Sequence, residues 1–201
     1  MFIPKLTKKS LNKTIDLRRS PEYISGVNKI IKIEFEKNKK EMINEFNKHS
    51  VTREIEGGSG SSNISGTLGG YGNLFSFIGF DSGDKPINPI RSKLKEVYMN
   101  NIVIQRNGSF NVIVYYPKPE DIFAITPLPW AEGRSWAKGI ERGLSGFGSY
   151  LNKNSKGSRS GAGIQIKNKA SMGKFQNTQY ITKIIKNFEA KISALNSITI
   201  L

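Results

Sequence analysis

The sequence contains no cysteine and a single histidine, His49. The first absence excludes disulfides, thiolate nucleophiles and cysteine-bound metals. The second leaves almost no imidazole for acid–base work, and a lone histidine near a helix end more often meets the last carbonyls of that helix. Acids are scarce as well, 16 Asp and Glu against 31 Lys and Arg, for a net charge of +15. No stretch approaches the roughly 20 apolar residues that a membrane-spanning helix needs. The basic start, MFIPKLTKKSLNK, has no apolar run of signal-peptide length. Catalytic patterns are missing too: no H-E-x-x-H, no acid-rich calcium loop and no G-x-S-x-G between a strand and a helix. Glu132 and Glu141 are two carboxylates with no spacing that brings them together. The expectation is a soluble, non-enzymatic protein of a reducing compartment, with no metal, no cofactor and no membrane contact.

What the chain does have is positive charge, unevenly placed. Residues 1–50 hold twelve Lys/Arg against six acids, and residues 51–100 five against five. Residues 101–150 hold five against four, and residues 151–201 nine against one. Basic ends around a neutral middle favour contact with nucleic acid or with an acidic protein surface. A lysine- and asparagine-rich solvated surface explains the same count without any partner.

Residues 1–19 are poor in apolar groups and read as a basic flexible arm. Ser20-Pro21-Glu22 is a helix start: a capping serine, proline at the first position, an acid in the first turn. The helix should run to about His49 on Tyr23, Val27, Ile30, Ile31, Met42, Ile43 and Phe46, with the charged turn at 36–41 projecting beyond the core. Residues 57–72 contain seven glycines and four serines, the composition of a mobile loop. No G-x-x-x-x-G-K-S/T spacing makes it a phosphate cradle.

Residues 73–80, NLFSFIGF, have the length and apolar density of a buried strand. Pro86 and Pro89 should keep residues 85–89 extended before a helix over 90–99. Asn107-Gly108 centres a hairpin over residues 101–116, with Val112, Val114 and Tyr116 on one face. A turn of helix is expected from Pro119 to Phe123. A second Gly/Ser loop spans 152–163, a short strand 164–168, and a final helix runs from about 177 to 195. That helix carries the stripe Tyr180, Ile184, Phe188, Ile192 and Leu195, and should pack antiparallel to the first. Together these elements predict an α+β fold: a small, mainly antiparallel sheet packed by a long N-terminal and a C-terminal helix, with long Gly/Ser-rich loops. Residues 20–201 form one domain in this reading.

Residues 130–150, WAEGRSWAKGIERGLSGFGSY, show two helical stripes. Trp136, Ile140, Leu144 and Phe147 form the apolar one. Gly139, Gly143 and Gly146 form a neighbouring one. Each interior glycine costs a helix about 1 kcal/mol relative to alanine, so the stripe implies close approach of another backbone and marks a candidate subunit interface. Lys153, Lys156, Arg159, Lys167, Lys169 and Lys174, flanked by Tyr150 and Phe175, are candidates for contact with nucleic acid or an acidic partner.

The order of a long helix, Ser65-Gly66-Thr67-Leu68, an apolar run ending Ile78-Gly79-Phe80, then Lys85-Pro86-Ile87-Asn88-Pro89-Ile90 and a helix resembles the tail-completion (neck, head–tail joining) proteins of tailed bacteriophages. The resemblance covers about residues 21–98, under half the chain. It departs where S-G-T-L stands for a threonine-before-glycine turn, and in the Gly/Ser insertion ahead of it. It implies a virion structural protein: a homo-oligomeric ring joining the head connector to the tail around the DNA channel, assembled in the host cytoplasm. The alternative is a basic RNA- or DNA-binding protein such as a ribosome-associated factor.

Overall fold

A computed structural model describes residues 20–68, 72–100, 103–104, 110–129, 131–142 and 178–195. Helix α1, Pro21–Lys48, begins where the capping signal places it, with the Ser20 hydroxyl accepting from the Tyr23 N–H at 3.1 Å. Val27, Ile31, Phe35, Asn38, Met42 and Phe46 are buried along it, at spacings of four and three. The charged turn at 36–41 does not project beyond the core. Phe35 and Met42 are buried on either side of it and Asn38 within it, and Lys39 Nζ donates to the Val97 carbonyl at 2.6 Å. Its charges ride on a helix whose inward positions remain occupied.

His49 breaks the helix with ψ 136° and starts a second one, α2, Ser50–Glu56, which leads into a 3-10 turn at Gly58–Gly60. Within residues 73–80 the chain forms a short helix rather than the expected strand. Here α3, Leu74–Ile78, is capped by the Asn73 side chain accepting from the Ser76 N–H at 2.9 Å. It ends at Gly79, whose φ of 89° is the left-handed geometry that glycine adopts without a steric penalty. An apolar run of this length fits a buried helix as well as a buried strand, and the two caps decide between them. Helix α4, Ile87–Lys95, also starts earlier than expected. Pro89 falls in its first turn, where a missing N–H costs nothing.

All strand pairing among the described residues is antiparallel. β1 (Tyr98–Met99) pairs β4 (Val114–Tyr115), and β2 (Val103–Ile104) pairs β3 (Phe110–Asn111). Both ladders lie on one hairpin, and its register shifts by one residue between Met99↔Val114 and Val103↔Asn111. The Asn107-Gly108 turn lies outside the described residues, between paired flanks. Val112 packs on Val27 and Ile31 of α1, with Met99 and Val114 alongside. Ile113 and Tyr115 point outward, as the alternation predicts.

Helix α5, Pro119–Ala124, follows, and then a tight ladder of β5 (Pro127–Leu128) with β6 (Ala131–Ser135). Residues 131–135 are therefore strand, and among the described residues of this stretch the helix, α6, covers Trp136–Arg142. The Ser135 hydroxyl starts that helix by accepting from the Lys138 N–H at 3.1 Å. Trp136 and Ile140 are buried, as their stripe implies. Leu144 and Phe147 lie outside the described residues.

The last helix, α7, Ile181–Leu195, buries Ile181, Ile184, Ile185, Phe188 and Ile192, with Tyr180 buried just before it. It runs antiparallel to α1: Lys191 meets Glu41, Asn187 meets Glu45, and the Tyr180 ring lies 6.0 Å from that of Phe46. The result is the α+β architecture expected, with two antiparallel helices as its frame and the strands divided among three two-stranded ladders. Phe46, Phe35, Trp136, Tyr180 and Phe188 are the largest side chains buried in the core.

Candidate partner interface

The most constrained polar group is one that the pattern of residues does not announce. Glu54, on α2, is fully buried. Its two carboxylate oxygens accept from the backbone N–H of Ser65 at 2.8 Å and of Leu74 at 2.7 Å. A buried carboxylate is tolerable when N–H donors take the place of water. Glu54 thereby ties the middle of the glycine-rich segment and the start of α3 beyond it to α2. Asn73 reinforces the tie by donating to the Ser59 carbonyl at 2.9 Å.

The S-G-T-L motif lies in this knot. Thr67 and Leu68 are fully buried, and the Thr67 hydroxyl meets that of Thr178 at 3.2 Å, joining the motif to the approach to α7. These residues do structural work inside the subunit. No sequence signal distinguishes Glu54 from the exposed Glu56 two positions on.

His49 is similarly committed. Its Nδ1 accepts from the Val51 N–H at 3.3 Å, capping α2, and its ring lies 4.7 Å from that of Tyr180. Burial lowers its pKa below the ordinary histidine value, against smaller raising effects from a Gln179 backbone hydrogen bond, Glu45 and Glu141. Tyr180 in turn shares a 2.6 Å hydrogen bond with Thr52, and burial holds its phenol far above the usual tyrosine range.

Glu132 and Glu141 do not form a pair. Glu132 is exposed on β6, while the Glu141 carboxylate takes the Thr182 N–H at 2.7 Å and its hydroxyl, capping α7. Among the described residues no three His, Cys, Asp or Glu side chains converge as a metal site would require. No helix there is long and apolar enough to cross a membrane.

Of the glycine stripe, only Gly139 is described, half-buried on α6 between the buried Trp136 and Ile140. Gly143 and Gly146 lie outside the described residues. So do Lys153, Lys156, Arg159, Lys167, Lys169 and Lys174, with Tyr150 and Phe175.

The described surface instead exposes apolar groups on outward faces. Ile30 and Ile33 on α1 are 50% and 57% exposed. Ile33 stands opposite the buried stripe, in a shallow groove with Lys29, Lys32 and Glu36. The outer side of the hairpin exposes Ile113, Tyr98 and Tyr115, and the two tyrosine rings stack at 4.7 Å and 15°. A second groove, between α5 and β6, is lined by Glu120, Phe123, Ala124, Pro127, Gly133 and Lys138, among others. Such features on separate faces suit protein contact better than small-molecule chemistry.

Comparison with known proteins finds no match to any protein-family model, to any curated protein or to any solved structure.

Proposed function

We propose that this chain is a non-enzymatic structural subunit of a phage-like virion. In this reading it is a neck or tail-completion protein that assembles as a ring between head connector and tail, around the passage of the DNA. The observation that carries the reading is the set of large apolar side chains on the outward faces of α1 and the hairpin. They have no role in the subunit's own core, and an assembly contact would remove them from water. The basic ends suit a channel that passes a polyanion. The chain order of long helix, S-G-T-L and K-P-I-N-P-I adds the neck-protein resemblance. The element between the two motifs is helix α3, so the resemblance rests on the motifs and the flanking helices and not on a strand.

One observation favours a second reading, a basic nucleic-acid-binding protein. The Tyr98–Tyr115 stack is about half exposed, and exposed aromatic rings serve as platforms for bases. Salt separates the two. Size-exclusion chromatography with light scattering should find a defined cyclic oligomer, or co-purification with particles, that persists at about 1 M salt, where charge contacts are screened within roughly 3 Å. A monomer whose only partner is nucleic acid released steeply by salt overturns the neck reading.

A further inference from the structure

Helix α1 carries an outward face that takes no part in the subunit's core. At about 100° and 1.5 Å per residue, Glu22, Lys29, Ile30, Glu36 and Lys40 all fall within about 60° of Ile33, on the side away from the buried stripe, and all are exposed. The helix fixes their order in space: negative at 22, positive at 29, apolar at 30 and 33, negative at 36, positive at 40. None of Glu22, Lys29, Glu36 and Lys40 belongs to an ion pair among the described residues. Gly26 lies on the same face in the helix interior, where glycine costs about 1 kcal/mol relative to alanine. An added side chain there would meet nothing within 4 Å, so no contact among the described residues calls for that glycine.

Reversed end to end, this order becomes its own opposite. We propose that two copies of the chain pair through α1, antiparallel about a two-fold axis near residues 31 and 32. Ile30 of each copy then meets Ile33 of the other. Lys29 lies level with the opposing Glu36 to within about 3 Å along the helix, and Glu22 with the opposing Lys40 to within about 2 Å, both inside the reach of a lysine. A parallel pairing would instead set Lys29 against Lys29 and Glu36 against Glu36. Two further bases are near. Lys37 is already paired with Glu34 at 3.4 Å and would lie over the second copy's Gly26, which leaves it room, while Lys32 sits about 100° from Ile33, at the flank. The contact is isologous and closes at two copies. It goes beyond the ring reading and is separate from it, and the exposed Ile113, Tyr98 and Tyr115 of the hairpin stay outside it.

A residue meets its own counterpart only beside a two-fold axis, and the chain has no cysteine, so single-cysteine variants read the contact directly. The full chain is used at about 0.15 M salt, where exposed charges act over about 8 Å. Under a mild copper oxidant, I33C should form an intermolecular disulfide at least about tenfold faster than K40C, whose two copies would lie about 25 Å apart along the helices. In the I33C background, K29E and E36K each set like charges across the contact and should slow the cross-link by about tenfold. K29E/E36K restores opposite charges and should recover most of the rate. All these positions are at the surface, and unchanged far-UV circular dichroism confirms folding. Equal rates for I33C and K40C overturn the two-fold contact, and a cyclic oligomer found all the same leaves the ring reading intact. Fast I33C cross-linking that ignores the charge variants, or is not recovered in the double variant, overturns the antiparallel pairing. A wild-type chain that stays monomeric at all concentrations overturns the contact and the ring together.

Discussion

The Glu54 carboxyl is surrounded by protein and matched by two backbone donors, so its removal leaves the buried Leu74 N–H and the half-buried Ser65 N–H without acceptors. Each such orphan costs on the order of 1–3 kcal/mol. Glu54→Ala should therefore lower unfolding free energy by about 3 kcal/mol in urea titration, and a loss under 1 kcal/mol would show that water or a rearranged loop satisfies the donors. His49 predicts a pH dependence. Burial lowers its folded pKa, so the folded chain takes up this proton less readily than the unfolded chain. Stability is complete above the unfolded value of about 6.5 and is lost as pH falls from there through the lower folded value. Because the chain has one histidine, His49→Asn, which keeps an acceptor for the Val51 N–H, should flatten melting temperature between about pH 7 and 5. Glu41 belongs to a lower window: Lys191 holds its carboxyl below the ordinary range, so that contribution is present above the unfolded carboxylate value of about 4.3 and fades as pH falls below it.

At the scale of elements, α3 shows how local chemistry outranks composition. Its five residues are apolar enough for a strand, but Asn73 caps one end and Gly79 turns left-handed at the other. Gly79→Ala should cost about 1 kcal/mol for the left-handed backbone, and Asn73→Ala a similar amount for the lost cap. Far-UV circular dichroism should otherwise remain unchanged; equal stability in both variants would remove the caps as the reason for the helix. The α1–α7 pair is the larger element. Phe188 is 1% exposed and meets Tyr116 edge-on at 5.8 Å, so Phe188→Ala should cost about 4 kcal/mol in denaturant titration. The helix ends at Ser20 and Pro119 were readable because capping is a local signal. The strand at 131–135 was hidden because tryptophan and glycine spacings over 130–150 fit a helix equally well, while the ladder pairs Pro127 with Ser135 and Leu128 with Ala131 across an irregular register, with Gly133 at a φ of 70° on the strand between them.

Across the whole molecule, charge and apolar surface have different roles. A charge of +15 opposes association of like chains unless specific pairs offset it, so lower salt should slow ring formation overall. Raising salt from about 0.05 to 0.3 M should accordingly speed oligomerisation followed by light scattering, whereas a nucleic-acid complex should dissociate over the same range. Faster assembly at the lower salt would show that the attractive pairs outweigh the net repulsion.

The amino-acid order alone determined the boundaries of α1, the alternation of the hairpin, the apolar stripe of α7 and the scarcity of catalytic groups, because each depends on neighbours within a few residues. Tertiary structure alone decided that Glu54, His49 and Glu141 are internal caps and ties, since their partners Leu74, Tyr180 and Thr182 lie 20 to 131 positions away along the chain. It likewise decided which isoleucines of α1 face the core and which face outward. Ile31 is buried and Ile30 exposed because one residue turns a helix by about 100°, and only the position of the hairpin over Val27 and Ile31 says which side is inside.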